Sequence, residues 1–230
     1  MARDVSDPFL LPLCLAAARC YDPAIAPTFQ NAERLVHVYQ SVVSIPGIGE
    51  INDFSFEGTS DFEEWIVDFV CGPIESMQHP QAGPVHAGYL LDVQSVIGDI
   101  AHAIGALGNP PFTISGHSKG AGEAIICTML LKAGGLPPLA TRAYEPPRVG
   151  GPQLNAYLAN DDIGWTRTTN KNGSDLVTLV PAGPISLIPP GAWLHTGKMT
   201  LLTVPDSYGV AEKHRIPAVL AALQAAQPAK

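Results

Sequence analysis

A serine flanked by glycines separates two apolar runs near the middle of the chain, in the segment Gly116-His117-Ser118-Lys119-Gly120. A serine hydroxyl on a sharp strand-to-helix turn can attack a carbonyl carbon once a base removes its proton. Small residues two positions before and after the serine let such a turn form without a clash. A plain glycine turn between a strand and a helix is the alternative interpretation of these residues.

The residues on either side of this turn favour the hydrolytic interpretation. Residues 112–115 (FTIS) are apolar and β-branched, which is typical of a buried parallel strand. Residues 121–135 (AGEAIICTMLLKAGG) have the pattern of a helix that ends at two glycines. A phosphate-binding loop would need Ser or Thr after the lysine, where Gly120 stands. The sequence therefore predicts a nucleophile elbow with Ser118 at its tip.

An activated serine of this kind needs a histidine as base, which follows it in the chain. Two histidines come after Ser118: His195, at the start of a predicted strand, and His214, between that strand and the last predicted helix. Functional groups collect just past the carboxyl ends of parallel strands, so we prefer His214 as the base and keep His195 as the alternative.

The same reasoning selects the carboxylate that would orient the base. Asp175 comes in a loop after a predicted strand at 165–170, where functional groups are expected. Asp161 and Asp162 precede that strand, and Asp206 lies in a predicted turn. Asp175 is therefore the preferred orienting acid.

Six segments together resemble the class 3 lipase family, the fungal-type triacylglycerol lipases and their relatives. They are FSFEGTSDFEEWIVDF (54–69), VHAGY (85–89), FTISGHSKGAGEA (112–124), YEPPRVGG (144–151), RTTNKNGSDLVTLVP (167–181) and WLHTG (193–197). The resemblance implies an α/β-hydrolase fold, with a mostly parallel central sheet flanked by helices and a short helical lid. It also implies a serine hydrolase of carboxylic esters, above all acylglycerol and other lipid esters. It assigns the catalytic triad to Ser118, Asp175 and His214.

The resemblance further implies an oxyanion hole formed by the main-chain N–H groups of Thr59 and Lys119. Lys119 stands where leucine is common in the family, and Glu57 stands where arginine is common. A main-chain donor does not depend on its side chain, so we expect Lys119 to preserve the hole. We expect its charge to alter the preference for anionic head groups, and we expect Glu57 to change the packing of the turn before Thr59.

The segment after that turn has the periodicity of an amphipathic helix. Phe62, Trp65, Ile66 and Phe69 are spaced i, i+3, i+4 and i+7, with acidic residues between them. An ordinary helix packed on the core has the same pattern. The position beside the predicted oxyanion turn favours a lid whose apolar face covers the site and turns toward a lipid surface. The apolar loop 184–193 would line an acyl groove.

Composition limits the other functions open to this chain. Its 230 residues are 46% hydrophobic and 15% charged, which fits a single α/β domain over 1–230. A net charge of −8 argues against nucleic acid as a partner. No apolar run reaches the ~20 residues needed to span a bilayer. The N-terminus is not positively charged, so we expect no signal peptide, which leaves cytoplasmic location and non-classical secretion open.

The four cysteines have no metal-ligand spacing, and we expect no disulfide framework, metal or cofactor. The expected partners are a lipid or ester substrate and, transiently, a lipid interface. Phospholipase A1, thioesterase and acyltransferase activities would use the same triad and stay open as alternatives. A catalytically inactive binding module of the same fold is the alternative from another class.

Overall fold

The computed structural model describes residues 6–59, 76–180 and 193–227. The strands are β1 (Phe29–Asn31), β2 (Val36–Ile45), β3 (Gly49–Phe56), β4 (Ser76–His79), β5 (Gly83–His86), β6 (Phe112–His117), β7 (Ala140–Tyr144), β8 (Ile163–Asn170), β9 (Gly173–Ser174) and β10 (Lys198–Thr203). The helices are α1 (Leu10–Arg19), α2 (Ala87–Gln94), α3 (Ile97–Ala106), α4 (Lys119–Ala133), α5 (Pro152–Tyr157), α6 (Val210–His214) and α7 (Ile216–Ala226). A short 3-10 turn spans Val177–Leu179.

The main sheet has the order β1-β2-β3-β6-β7-β8-β10, with β9 paired to β8 at one end. Strands β1, β2 and β3 pair antiparallel, and β3, β6, β7, β8 and β10 pair parallel. Every residue of β6 is buried, as expected for a central parallel strand covered on both faces. Strands β4 and β5 form a separate hairpin.

Helices cover both faces of this sheet. One apolar cluster joins the sheet to α2, α3 and α4, and Leu90, Ile100 and Ile125 belong to it. A second cluster joins the sheet to α1 and α7 through Leu13 and Val219. Side chains of adjacent strand residues point to opposite faces, so each parallel strand contributes to both clusters. This is the predicted architecture of a mostly parallel sheet between two layers of helices.

The parallel strands bring three polar residues to one edge of the sheet. Ser118 follows β6, Glu145 follows β7, and Asp175 follows the β8–β9 hairpin. Carboxyl ends of neighbouring parallel strands meet at the same edge, where active sites of such sheets are found. None of the helices in the described part of the chain is long and apolar enough to cross a membrane.

Candidate active site

Ser118 lies at a sharp corner between β6 and α4. Its backbone has φ +58° and ψ −124°, a conformation that non-glycine residues rarely adopt. The main-chain N–H of Ser118 donates to the carbonyl of Tyr144 at 2.9 Å, which ties the corner to the end of β7. The Ser118 Oγ is buried and makes no hydrogen bond to a described residue. The predicted strained elbow between a strand and a helix is thus confirmed.

The two glycines of the motif are required by close backbone contacts. A side chain at position 116 would place its first carbon 2.2 Å from the carbonyl oxygen of Gly120. A side chain at position 120 would place its first carbon 2.3 Å from the carbonyl oxygen of Phe56. Both distances are far below van der Waals contact, and both obstacles are backbone atoms that cannot turn away. The glycines therefore let β6 and α4 approach each other and the end of β3.

Asp175 and His214 form a buried hydrogen-bonded pair. The Asp175 Oδ2 lies 2.7 Å from the His214 Nδ1, and both side chains are almost completely inaccessible to solvent. The Asp175 Oδ1 accepts from the main-chain N–H of Val177 at 3.2 Å. Burial alone would raise the pKa of Asp175, but His214 and the hydrogen bonds to the carboxylate bring the net pKa below its usual value. A carboxylate only accepts, so His214 carries its proton on Nδ1 and directs the lone pair of Nε2 away from Asp175.

His117 connects the elbow to the segment that carries His214. Its Nε2 lies 2.7 Å from the main-chain carbonyl of His214, and its Nδ1 lies 2.7 Å from the hydroxyl of Tyr21. A carbonyl only accepts, so Nε2 donates to it, and Nδ1 accepts from Tyr21. Burial, with a smaller effect of His214, lowers the pKa of His117 to about 3, so the ring is neutral. His117 thus supports the corner structurally and also fixes His214.

The turn predicted to form the oxyanion hole lies against Ser118. A first side-chain carbon at Gly58 would be 3.1 Å from the Ser118 Cβ and 2.5 Å from the carbonyl oxygen of His117. Thr59, the next residue, is half-buried, and Lys119 begins α4 directly after Ser118. The main-chain segments that carry the two proposed N–H donors therefore adjoin Ser118.

The unusual glutamate before this turn has partners on β2. The Glu57 Oε2 accepts from the His37 Nδ1 at 2.8 Å and from the Tyr39 hydroxyl at 3.0 Å. The Glu57 main-chain N–H also donates to the carbonyl of His37 at 3.1 Å. Glu57 therefore fastens the turn to the neighbouring strand, which gives a physical account of this departure from the family pattern.

The Lys119 side chain, whose charge was expected to alter the preference for anionic head groups, has acidic partners within the fold. Its ammonium pairs with Glu123 one helical turn later, lies 3.4 Å from Asp92 of α2, and donates to the carbonyl of Leu35 at 3.3 Å. The lysine side chain is largely buried, and Glu123 is fully buried. Burial raises the pKa of Glu123 to about 7, against the opposing effect of Lys119. Asp92 and Glu123 thus hold the lysine ammonium beneath the start of the helix.

His195, the alternative base, has a different environment. Its Nε2 lies 2.6 Å from the main-chain carbonyl of Thr178, and its ring stacks on Trp165 at 3.8 Å between centroids. Burial lowers the pKa of His195 to about 4, which keeps the ring neutral. The structure brings His214, and not His195, to the carboxylate of Asp175.

The other aspartates considered as the orienting acid are paired elsewhere. Asp161 pairs with Lys132, Asp162 with Arg142, and Asp206 with Lys171, at 2.6, 3.0 and 3.3 Å respectively.

One buried acid near Asp175 was missed by the sequence interpretation. Glu145 is fully buried, has φ +52°, and follows β7 directly. Its Oε1 accepts from the Thr166 hydroxyl at 3.1 Å, and its Oε2 accepts from the main-chain N–H of Thr168 at 3.1 Å. A glutamate before two prolines resembles an ordinary loop residue, and its position after a buried strand is the signal that could have revealed it.

Among the described residues, Glu145, Asp175 and His214 also have the spacing of a metal site. One ligand atom from each lies within 4.8 Å of the others. The oxygens of both carboxyl groups already accept hydrogen bonds from the surrounding protein groups, and the His214 Nδ1 already faces Asp175. We therefore interpret these three groups as a hydrogen-bonded cluster of two acids and one base.

Two parts of the sequence prediction lie outside the described residues. They are the lid residues Phe62, Trp65, Ile66 and Phe69, and all but the last residue of the loop 184–193 that was expected to line an acyl groove.

Comparisons with known proteins agree with the fold described above. The family model for Lipase (class 3) matches residues 54–184. A Rhizomucor miehei lipase solved as a propeptide complex is similar, with a TM-score of 0.67, 18% identity, and coverage of 96% of this chain and 78% of that one. A triacylglycerol lipase from Penicillium expansum has a TM-score of 0.67 and 12% sequence identity, with coverage of 96% of this chain and 90% of that one. A lipase from Rhizopus microsporus has a TM-score of 0.62 and 19% sequence identity, with coverage of 95% of this chain and 87% of that one. No curated protein sequence matches the chain.

Proposed function

We propose that this chain, which belongs to the class 3 lipase family and is a carboxylic ester hydrolase, cleaves acylglycerol esters through an acyl-enzyme on Ser118. The observation that carries the proposal is the buried hydrogen bond between Asp175 and His214 beside a serine held at positive φ. These are the nucleophile, base and orienting acid of serine hydrolases, in the chain order expected for this fold.

In the proposed mechanism, His214 removes the Ser118 hydroxyl proton as the Oγ attacks the ester carbonyl. The hydrogen bond from the His214 Nδ1 to Asp175 leaves the Nε2 lone pair to accept that proton. The carboxylate then stabilises the imidazolium, which protonates the leaving alcohol. His214 then takes a proton from water as the water oxygen attacks the acyl-enzyme, and it returns that proton to the Ser118 Oγ as the carboxylic acid leaves. Ser118 makes no hydrogen bond to His214 in this structure, and such contacts often close only when substrate binds.

The negative charge of the tetrahedral intermediate would be stabilised by the main-chain N–H groups of Thr59 and Lys119. The support is that both adjoin Ser118, one through Gly58 and the other at the start of α4. The helix start also favours negative charge at this place. Each donor of this kind typically contributes about 10²- to 10³-fold in kcat.

The choice of a lipid substrate rests on family membership and on the sequence of residues 61–69. The i, i+3, i+4, i+7 spacing of Phe62, Trp65, Ile66 and Phe69 would give a lid an apolar face. We propose that this face covers the site in water and contacts a lipid interface during catalysis. The consequence is a hydrolysis rate that increases when the substrate forms droplets or micelles.

The test is hydrolysis of chromogenic esters with short and long acyl chains by the parent, Ser118→Ala and His214→Ala. We expect both variants to lose activity by about 10³-fold or more. His102→Ala is a matched control because this histidine is exposed on α3, and it should retain activity. If His214→Ala stays active, the proposed base is wrong. A folded parent that cleaves no ester would favour the inactive binding module.

A panel of triglyceride, phospholipid and acyl thioester substrates defines the reaction further. We expect the triglyceride to be cleaved fastest, with a rate increase above its solubility limit. Preference for the phospholipid or the thioester would move the assignment to phospholipase A1 or thioesterase. Faster transfer to an added alcohol than to water would identify an acyltransferase.

A further inference from the structure

We propose that Glu145 is a positioning residue for this ester hydrolysis, whose neutral carboxyl group donates a hydrogen bond to Asp175 and holds it in the orientation that orders His214. The inference rests on the proposed triad of Ser118, Asp175 and His214. It adds a second, buried acid behind the first and assigns it a role that is separate from contact with substrate.

The backbone at Glu145 indicates that this residue is held in place by its surroundings. A non-glycine residue at φ +52° is in a strained backbone conformation, so the fold must over-determine it. The Glu145 main-chain N–H lies 3.3 Å from the Thr166 hydroxyl, and the preceding residue, Tyr144, accepts the N–H of Ser118. The turn that carries Glu145 is therefore joined to the elbow on one side and to β8 on the other.

The surroundings of the Glu145 side chain favour a neutral carboxyl group. It is fully buried, and no lysine or arginine pairs with it among the described residues. The titratable groups around it are Cys14 on α1, Asp175, and His214 on α6. The nearby Lys213 directs its ammonium to the carbonyl of Gly173 at 2.9 Å. With a single histidine beside two acids, the cluster cannot accommodate two buried negative charges.

The proton belongs on Glu145 because Asp175 has the better partners for a negative charge. Asp175 accepts from His214 and from the N–H of Val177, whereas the donors to Glu145 are uncharged. Burial, and then the charge of Asp175, raise the pKa of Glu145 well above its usual value. Hydrogen bonding from Glu145 in turn contributes to the lowered pKa of Asp175. The result is a row of groups from Glu145 through Asp175 and His214 toward Ser118.

Replacing the acid by an amide or by a hydrocarbon separates this role from simple packing. In Glu145→Gln the amide N–H₂ still donates to Asp175, and the hydroxyls of Thr166 and Thr168 can rotate to accept or donate as needed. In Glu145→Leu the side-chain volume is largely kept but no donor faces Asp175. We expect kcat of Glu145→Gln to stay within about threefold of the parent. We expect kcat of Glu145→Leu to fall about 10- to 100-fold with little change in KM, the range typical of residues that orient a catalytic group.

Two spectroscopic measurements do not depend on activity. The infrared spectrum of the parent at pH 8 should contain a protonated carboxyl band that is absent from the spectrum of Glu145→Gln. The difference between the two spectra separates the carboxyl group of residue 145 from those of the other acids. The downfield proton NMR signal of the His214 Nδ1–H, which the Asp175 contact produces, should persist in Glu145→Gln and broaden or vanish in Glu145→Leu. Circular dichroism of each variant establishes that it is folded.

The outcomes distinguish this inference from the proposed function. Loss of activity in Ser118→Ala and His214→Ala with full kcat in Glu145→Leu would overturn the role of Glu145 and leave the triad standing. A missing carboxyl band, or equal loss of kcat in the Gln and Leu variants, would also overturn it. Retained activity in Ser118→Ala would overturn the proposed function itself, whatever the infrared result.

Discussion

Replacing Tyr21 by Phe should weaken the fold and disturb the proposed base, His214, from a distance. The Tyr21 hydroxyl donates to the His117 Nδ1 at 2.7 Å, and the His117 Nε2 donates to the carbonyl of His214 at 2.7 Å. His117 is only 4% exposed, so water cannot replace the lost hydroxyl easily. A change of tautomer cannot help, because the carbonyl of His214 still needs the Nε2 proton. The variant therefore leaves a buried ring nitrogen without a donor.

The size of the effect follows from this unpaired acceptor. Leaving a buried acceptor unsatisfied costs about 1–3 kcal/mol. In a chain of this length each kcal/mol lowers the unfolding midpoint by about 2–4 °C, so a loss of roughly 2 kcal/mol corresponds to about 4–8 °C. The hydrogen bond between Asp175 and His214 is untouched, so kcat should fall by about tenfold at most.

The assay is urea unfolding and thermal melting of Tyr21→Phe beside Tyr157→Phe. The Tyr157 hydroxyl makes no hydrogen bond among the described residues, and a phenyl ring would keep its contact with Lys132 at 4.8 Å. The control should stay within about 0.5 kcal/mol of the parent. Equal stability of the two variants would refute the reasoning, because it would show that the hydroxyl of Tyr21 does not support His117.

Three further predictions concern buried or unusual charges. Burial raises the pKa of Asp53 to about 6, so its ionisation destabilises the fold increasingly from about pH 4 to pH 6. In urea unfolding, the stability of Asp53→Asn relative to the parent should therefore rise by about 2–3 kcal/mol between pH 4 and pH 7. Glu57→Ala should loosen the oxyanion turn and lower kcat about tenfold with little change in KM. The control Glu50→Ala, at an exposed position on β3, should keep the kcat of the parent. Lys119→Leu should cost about 2–3 kcal/mol in urea unfolding by leaving Glu123 without its cation, yet leave the preference among head groups and the kcat per folded molecule unchanged.

Local sequence patterns predicted the corner and the strands that support it. The β-branched run at 112–115 and the helical pattern from 121 predicted the strand and the helix on either side of Ser118, although both begin or end a few residues differently. The strand predicted at 165–170 is the carboxyl-terminal part of β8. These features depend on neighbouring residues and on glycine, which is why a single sequence contains enough information for them.

Side-chain partners that come from distant segments were not predictable in the same way. The ammonium of Lys119 meets Asp92 on α2 and the carbonyl of Leu35, and no local pattern links these positions. The burial of Glu145 depends on the register of β7 and β8, in which Tyr144 lies opposite Thr166. Both cases required the tertiary arrangement of strands and helices, and in both the sequence interpretation was incomplete.

Three buried histidines near the proposed site differ in the partner of their ring N–H, and that partner bears on the proposed role of base. His117 and His195 each direct a ring N–H to a main-chain carbonyl, and burial lowers the pKa of both, to about 3 and about 4. His214 alone among them directs its N–H to a carboxylate. A carbonyl orients a neutral ring but compensates little of an imidazolium charge, whereas a carboxylate does both. A base that must hold a proton during ester cleavage therefore needs the partner that His214 has, and residue spacing alone could only rank it above His195.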